Sequence, residues 1–174
     1  MKKVILYMAS SIDGFIASSD GSVDWLDTEA DIGDEYAFDS FLQGVDTIIM
    51  GRKSYEQTVS FGGWAFGNQH TFVFSKSTLQ AQTPNTTIVT DPSPDFINTL
   101  KEENGKDIWL FGGGTLNHYF LENDLIDEIM LFVQPVVLGT GIGLFGNKAV
   151  DVKKFTRKKV VEFASGFNLL WYKR

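Results

Sequence analysis

The sequence predicts a three-layer α/β/α fold, built on a central mixed sheet that is mostly parallel and ends in an antiparallel pair. Short apolar segments alternate with amphipathic ones along most of the chain, and only strand-like segments follow the last helical one. The 174 residues are 43% hydrophobic and 14% aromatic, which is enough for one core. No repeat or linker-like segment interrupts them, so we expect one domain over residues 1–174.

The predicted strands are short apolar runs bounded by turn residues. In chain order they are Val4–Ser10, Thr47–Met50, Thr71–Phe74, Thr87–Thr90, Ile108–Phe111, a long strand Ile126–Leu138 that bends at Pro135, a strand around Val160, and Leu169–Tyr172.

The predicted helices fall between these strands and carry helix start and stop signals. They are a helix with Tyr36, Phe38, Phe41 and Leu42 on its apolar side that ends at Gly44, a helix that begins at Arg52, a helix Pro94–Asn104 capped by Asp91 or Ser93, and a helix Thr115–Glu122.

Composition excludes several classes of protein. The net charge of −7 disfavours nucleic acid as a partner, because phosphate binding needs a basic footprint. The absence of cysteine excludes disulfides and thiolate chemistry, and two histidines make a metal site improbable. No apolar stretch reaches the roughly 18 residues that span a bilayer. The first apolar run breaks at Asp13, so we read it as a buried strand and expect a cytoplasmic protein without a membrane partner.

Three consecutive glycines, Gly112, Gly113 and Gly114, lie between a predicted strand and a predicted helix. Without Cβ atoms the backbone can approach a ligand closely, and the start of a helix presents unpaired N–H groups. The arrangement is typical of a site for a phosphate or pyrophosphate. A tight turn without a ligand is the alternative that the motif leaves open.

Two other predicted strands end in similar residues. Gly51 follows one strand and precedes Arg52, Lys53 and Ser54, while the segment 75–77 (Ser-Lys-Ser) follows another. Arginine and lysine can pair with a phosphate ester, although a solvated helix start is the alternative at Gly51. The carboxyl ends of neighbouring parallel strands meet at one edge of a sheet, where open α/β sheets bind their ligands. The sequence therefore predicts a nucleotide site at this edge.

The segment Gly141–Gly146 formally matches the dinucleotide-binding pattern G-x-G-x-x-G. That fingerprint requires a helix directly behind it, and the residues that follow are typical of a loop. We therefore predict a loop here and not a dinucleotide-binding turn.

The chain resembles the dihydrofolate reductase superfamily over nearly its whole length. Four segments in order carry the resemblance, at residues 11–17, 50–56, 74–77 and 111–116. Two more segments, 125–129 and 134–141, resemble the RibD C-terminal type, the reductase domain of bifunctional riboflavin-biosynthesis proteins, more than folate reductases. The resemblance implies a dihydrofolate-reductase-like fold that binds NADPH.

Carried onto this sequence, the resemblance assigns three groups of residues to the cofactor. The first would hold the phosphate and adenosine side, the second would lie near the 2′-phosphate, and the third would wrap the pyrophosphate and nicotinamide half. They are Gly51, Arg52, Lys53 and Ser54; Ser75 and Lys76; and Gly112, Gly113, Gly114, Thr115 and Leu116. The resemblance further implies that Phe15 and Ile16 line the nicotinamide and that the loop through Trp25 closes over it.

The proton-handling group is assigned to a carboxylate at one of two places in the sequence. By its position before the second long strand, Glu35, or its neighbour Asp34, resembles the acid of folate reductases. Asp13 is the other candidate, with a turn residue that binds its own backbone as the alternative.

The resemblance implies hydride transfer from NADPH to a C=N or C=O group of a small heterocycle. An aminopyrimidine of the 5-amino-6-(5-phosphoribosylamino)uracil class ranks first, and a pterin or folate ranks second. A protein that binds NADPH without turnover fits the same residues and stays open as an alternative. Relatives of the riboflavin type also imply a homodimer.

Overall fold

The computed structural model describes residues 1–27, 36 and 38–174. Its strands are β1 (Val4–Ser10), β2 (Phe15–Ala17), β3 (Val45–Gly51), β4 (His70–Phe74), β5 (Thr86–Val89), β6 (Asp107–Gly112), β7 (Glu128–Val133), β8 (Ile142–Gly143), β9 (Thr156–Glu162) and β10 (Asn168–Lys173). Its helices are α1 (Phe38–Gln43), α2 (Arg52–Ser60), α3 (Pro94–Glu102) and α4 (Gly114–Glu122).

Eight strands form one mixed sheet in the order β5-β4-β3-β6-β1-β7-β10-β9. The six strands from β5 to β7 pair in parallel, whereas β10 pairs antiparallel with both β7 and β9. The α/β fold with a mostly parallel sheet and an antiparallel end is therefore confirmed.

The two faces of the sheet carry different helices. Ile49 and its neighbours on one face pack against α3 and α4 through side chains such as Ile97 and Phe120. Ile48, the next residue along β3, lies in a cluster with Tyr55 of α2 and Phe41 of α1 on the other face. Successive side chains of a strand point to opposite faces, so β3 contributes to both cores. This gives the three layers that the sequence predicts.

The last long strand is shorter than predicted. The sequence predicts Ile126–Leu138, but β7 ends at Val133. Pro135 has no N–H for a ladder hydrogen bond, and the N–H of Val136 donates instead to the carbonyl of Gln134 at 2.8 Å. The chain therefore turns away from the sheet at Gln134.

One of the two predicted caps of the third helix is confirmed. Ser93 caps α3, since its Oγ accepts from the N–H of Phe96. The first predicted helix is realised as α1, while Tyr36 lies before it in a turn and is buried. No helix within the described ranges is long and apolar enough to cross a membrane.

Candidate cofactor-binding site

The carboxyl ends of β4, β3 and β6 lie side by side. Gly51 pairs with Phe74 on one side, and Met50 pairs with Gly112 on the other. A Cβ atom on Gly51 would lie 3.7 Å from the carbonyl oxygen of Gly112. The structure thus brings together the three strand ends that the sequence singled out.

The three glycines meet different surroundings. Gly112 has φ +99°, and a Cβ there would lie 2.8 Å from Met8 Cε. A Cβ on Gly114 would lie 2.4 Å from the carbonyl oxygen of Gly143, closer than real Cβ contacts come. Gly112 therefore favours glycine because of its positive φ, and Gly114 requires glycine because a Cβ would collide with backbone.

Gly113 is the exception among them. The nearest atoms to a Cβ on Gly113 are Ser54 Oγ at 3.4 Å and Ile16 Cδ1 at 3.9 Å, which are ordinary contact distances. Folding alone does not require glycine here. Its bare backbone faces the gap between α2 and β2, where a ligand can approach it.

Two helices begin at this edge without a side-chain cap. Gly51 is the N-cap of α2, Gly113 is the N-cap of α4, and neither helix has a side-chain hydrogen bond at its cap. The first turns therefore present N–H groups and the positive ends of their dipoles to the edge. Two such ends within one site suit the two phosphates of a pyrophosphate.

Arg52 is held in place from two sides. Its Nε donates to Glu56 Oε1 at 2.7 Å, and its Nη1 donates to Ser77 Oγ at 2.5 Å. Ser75 is buried and donates to the carbonyl of Ser77 at 2.7 Å, which fixes the turn that carries Ser77. Ser75 therefore stabilises the turn that positions Ser77 against Arg52. Lys76, in the same turn, and Lys53, next to Arg52, are exposed.

A loop spans the same edge from α2 to β7. We call residues 18–27 the bridging loop. Gln57 Nε2 donates to the carbonyl of Gly21 at 2.8 Å, the hydroxyls of Ser19 and Thr140 are 3.3 Å apart, and the N–H of Asp27 donates to Gln134 Oε1 at 3.1 Å. Trp25 lies in this loop and is partly buried. The loop thus joins α2 to the end of β7 along the carboxyl edge of the sheet.

The segment Gly141–Gly146 also belongs to this region, as a loop and not as a dinucleotide-binding turn. Its strand β8 pairs with β2, and no helix follows it. Asn117 Nδ2 of α4 donates to the carbonyl of Leu144 at 2.8 Å, and the N–H of Leu144 donates to the carbonyl of Gly14 at 3.0 Å. The loop therefore packs against the glycines that start α4. The glycines of this loop account for its match to the dinucleotide-binding pattern. One of them, Gly143, is so close to Gly114 that no side chain fits between them.

Comparisons with known proteins identify the family of this chain. Residues 2–169 match the RibD C-terminal domain family. The chain belongs to that family. It is 37% identical to the uncharacterized protein YwjB of Bacillus subtilis over 97% of this chain and 96% of the relative. It is 36% identical to the uncharacterized protein YyaP of the same organism, over 95% of this chain and 91% of the relative.

Solved structures extend the comparison of this RibD C-terminal domain. A putative riboflavin biosynthesis protein from Shewanella sp. PV-4 superimposes with a TM-score of 0.85 at 26% identity, covering 99% and 98% of the two chains. Dihydrofolate reductase from Enterococcus faecalis, in complex with NADP(H), superimposes with a TM-score of 0.69 at 13% identity, over 99% and 96% of the chains. The second likeness shows the fold alone.

A longer relative gives a third structural match. The bifunctional deaminase and 5-amino-6-(5-phosphoribosylamino)uracil reductase from Thermotoga maritima superimposes with a TM-score of 0.70 at 20% identity. The match covers 99% of this chain and 56% of that one. The dihydrofolate-reductase-like fold that the motifs imply is confirmed by these matches.

Of the three carboxylates suggested for the RibD C-terminal domain, only Asp13 is among the described residues. Asp13 Oδ2 accepts from the N–H of Gly139 at 2.8 Å, and Oδ1 accepts from the N–H of Leu138 at 3.2 Å. Hydrogen bonds from Ser11 and from these two N–H groups lower the pKa of Asp13. The carboxylate of Asp13 thus binds the distant loop at Leu138 and Gly139, and its role in proton transfer stays a prediction. Glu35 and Asp34 lie outside the described residues.

Of the residues assigned to the nicotinamide, Ile16 lies next to Gly113, with its Cδ1 3.9 Å from the position of an added Cβ. Phe15 precedes it in β2 and pairs with Gly143. Sequence reasoning missed three residues that organise the site, namely Ser77, Asn117 and Gln134. Ser77 stands in a motif that the sequence did single out, whereas nothing local marks Asn117 or Gln134.

Proposed function

We propose that this chain is an NADPH-dependent reductase, which transfers a hydride to a C=N or C=O group of a small heterocycle. The observation that carries the proposal is the open backbone of Gly113, which lies between two helix N-termini that no side chain caps. A pyrophosphate would be held there by N–H groups, as helix starts hold anions elsewhere.

Arg52 supports the choice of NADPH over NADH. Its guanidinium lies at the carboxyl end of β3 and is joined to the β4 turn through Ser77. Lys76 is exposed within that turn and Lys53 is exposed next to Arg52, so a phosphate ester on a ribose that reaches the turn would meet cations in an otherwise acidic protein. NADH has no phosphate for these cations to neutralise.

The rest of the site positions the reactants. When bound, NADPH supplies the hydride. Ile16 and Phe15 would line the nicotinamide, and the bridging loop with Trp25 would exclude water from the transfer. Glu35 is proposed to handle the proton, as the resemblance implies.

For the substrate we propose an aminopyrimidine of the 5-amino-6-(5-phosphoribosylamino)uracil class. Two similar structures support it, since one is named a putative riboflavin biosynthesis protein and the other a reductase of that uracil. A pterin or a folate is the second candidate, supported by the likeness in fold to a dihydrofolate reductase.

The test is equilibrium binding of NADPH and NADH to the wild-type chain and to the double variant Arg52→Ala, Lys53→Ala. We expect the wild type to prefer NADPH, and the variant to lose about 1.5–3 kcal/mol of NADPH binding for each charged hydrogen bond removed. NADH binding should change little. A panel of aminopyrimidines, pterins and folates, followed by NADPH absorbance, then identifies the substrate.

Two outcomes would contradict the proposal. If the wild-type chain binds neither dinucleotide, the reductase assignment is wrong. If the double variant binds NADPH and NADH more weakly by the same factor, Arg52 and Lys53 do not recognise the 2′-phosphate. The variant Lys106→Ala serves as a matched control, because Lys106 is an exposed cation at the start of β6, at the opposite edge of the sheet.

A further inference from the structure

Gln134 is a buried polar residue at the point where β7 ends. It is only 1% exposed, and its N–H donates to the carbonyl of Ser10 at 2.8 Å. This bond extends the pairing of β1 and β7 by one residue beyond the last strand pair, Ser10 with Val133. Gln134 therefore lies at the same carboxyl edge as Gly112 and Gly51, and its backbone is fixed by the sheet.

The side-chain amide of Gln134 has one satisfied end and one unsatisfied end. Oε1 accepts from the N–H of Asp27 at 3.1 Å. Nε2 is buried and has no hydrogen-bond partner in the described part of the chain. A buried donor without a partner costs about 1–3 kcal/mol, so native structures rarely keep one without a reason.

The orientation of this amide is determined by its neighbour. The N–H of Asp27 can only donate, so it must face the oxygen of the amide and not the NH₂ group. Turning the amide over would place two donors against each other. Nε2 is therefore a fixed donor that can serve only an acceptor.

The position of Gln134 places this donor under the bridging loop. Asp27 is the last described residue of that loop, and its hydrogen bond to Gln134 is one of the three that hold the loop over the edge. In β7 the alternation puts Gln134 on the same side as Phe132, whose ring centroid lies 4.9 Å from that of Tyr7. The amide of Gln134 thus lies at the carboxyl edge of the sheet and is joined directly to the bridging loop.

A second donor lies on the same loop. The indole Nε1 of Trp25 is also buried and has no hydrogen-bond partner within the described ranges. Indole nitrogen is a donor only. The covered region therefore offers donors to a ligand, which suits a ligand that presents acceptors.

We propose that Gln134 determines substrate specificity by donating a hydrogen bond from Nε2 to a ring carbonyl oxygen of the substrate. The inference rests on the proposed function, because it assumes that the heterocycle lies under the bridging loop. It narrows the substrate class to oxo-heterocycles, in which a ring carbon carries C=O. An analogue with C–NH₂ at that position would place a donor against a donor, and a site built for one polar group rejects such analogues strongly.

The test uses a matched pair of probes, 5,6-diaminouracil and 2,4,5,6-tetraaminopyrimidine, which differ in having C=O or C–NH₂ at two ring positions. Dissociation constants are measured by calorimetry with the wild type, Gln134→Glu and Gln134→Met, each with and without saturating NADP⁺. We expect the wild type to bind the oxo probe at least about 30-fold more tightly.

The two variants separate recognition from folding. In Gln134→Glu one carboxylate oxygen can still accept from Asp27, while the other replaces the donor with an acceptor, so the preference should reverse toward the amino probe. Gln134→Met has a similar length without the donor and should lose the preference. A structural role alone would weaken both probes equally and could not reverse their order. Thermal unfolding of each variant checks that it is folded.

The outcomes are distinct from those of the cofactor test. Unchanged preference in Gln134→Glu, or failure of the wild type to bind either probe with or without NADP⁺, overturns the role of Gln134. Failure to bind NADPH while the probes still bind with the expected preference overturns the proposed reductase and leaves Gln134 as the recognition residue.

Discussion

At the amino edge of the parallel strands, lysines are paired with carboxylates, whereas at the carboxyl edge two buried side-chain amides each keep an unpaired group. Lys2 Nζ lies 2.6 Å from Asp46 Oδ1, and Lys101 Nζ lies 2.8 Å from Asp127 Oδ2. Across the sheet, Gln134 Nε2 and Asn117 Oδ1 are buried without a partner among the described residues. The ion pairs stabilise the amino edge, whereas the proposed ligand site rests on the unpaired groups of the carboxyl edge.

The largest effect on the carboxyl edge is expected at Gly113. Gly113→Ala should raise the dissociation constant of NADPH by about tenfold to 100-fold, because an added methyl group in a closely packed site costs about 1–3 kcal/mol. Its free energy of unfolding should stay within about 0.5 kcal/mol, since the new Cβ meets only ordinary contacts. Fluorescence titration and urea unfolding measure the two quantities.

Gly114→Ala is the matched control one residue away. Its Cβ would lie 2.4 Å from a backbone oxygen, so the variant should lose about 1–3 kcal/mol of stability. If both variants lose stability equally, Gly113 is a packing glycine, and the open edge is not a ligand site.

The amino edge is tested at Glu128. Its side chain is 6% exposed and accepts from Lys3 at 2.8 Å, from Lys158 at 3.0 Å and from Trp171 Nε1 at 2.7 Å. Glu128→Gln should lower the free energy of unfolding by about 1–3 kcal/mol, because charged hydrogen bonds are replaced by weaker ones. NADPH affinity should not change. A loss of NADPH binding in a folded variant would show that the two edges are not independent.

The pH dependence of this effect has a definite sign. Burial alone would raise the pKa of Glu128, but the hydrogen bonds from Lys3, Lys158 and Trp171 outweigh it and lower the pKa below its ordinary value of 4.5. The stability that the charge contributes is therefore complete above that value and is lost as the pH falls through the folded-state pKa. The difference between wild type and Glu128→Gln should shrink in urea unfolding at acidic pH.

The smallest effect is expected at Asp13. Hydrogen bonds from Ser11 and from the N–H groups of Leu138 and Gly139 lower the pKa of Asp13, which favours its ionised form over the protonated form of a proton donor. Asp13→Asn should leave the pH profile of kcat unchanged, because the carboxylate only binds the N–H groups of Leu138 and Gly139. A fall in kcat of about 100-fold or more, with NADPH affinity intact, would instead make Asp13 the proton-handling group.

The sequence predicted the parts of the molecule that depend on local patterns. Val4–Ser10 is β1 with the same bounds, and Ser93 is the cap of α3. Both follow from an apolar run or a capping residue that needs no distant partner. The glycine turn was also marked locally, by three residues without side chains.

What the sequence did not predict depends on distant contacts. Strands β2 and β8 have three and two residues, too short for a visible alternation, and form only because they pair with each other. Gln134 is linked to Asp27 across 107 positions, and Arg52 to Ser77 across 25. No local pattern records which side chain such a contact will reach.

The two hydrogen bonds of Arg52 would affect both the binding and the release of a phosphate. Because Glu56 and Ser77 already hold the guanidinium, a phosphate would meet a side chain whose rotamer is set, and little of the roughly 1.5–2 kcal/mol of arginine side-chain entropy remains to be lost. An exposed pair between residues four apart is worth only about 0.3–0.5 kcal/mol, so Glu56 can be displaced readily. A phosphate would then replace Glu56 as the partner of Arg52. When the phosphate dissociates, Glu56 would pair with Arg52 again, so the guanidinium would not be left without a counterion.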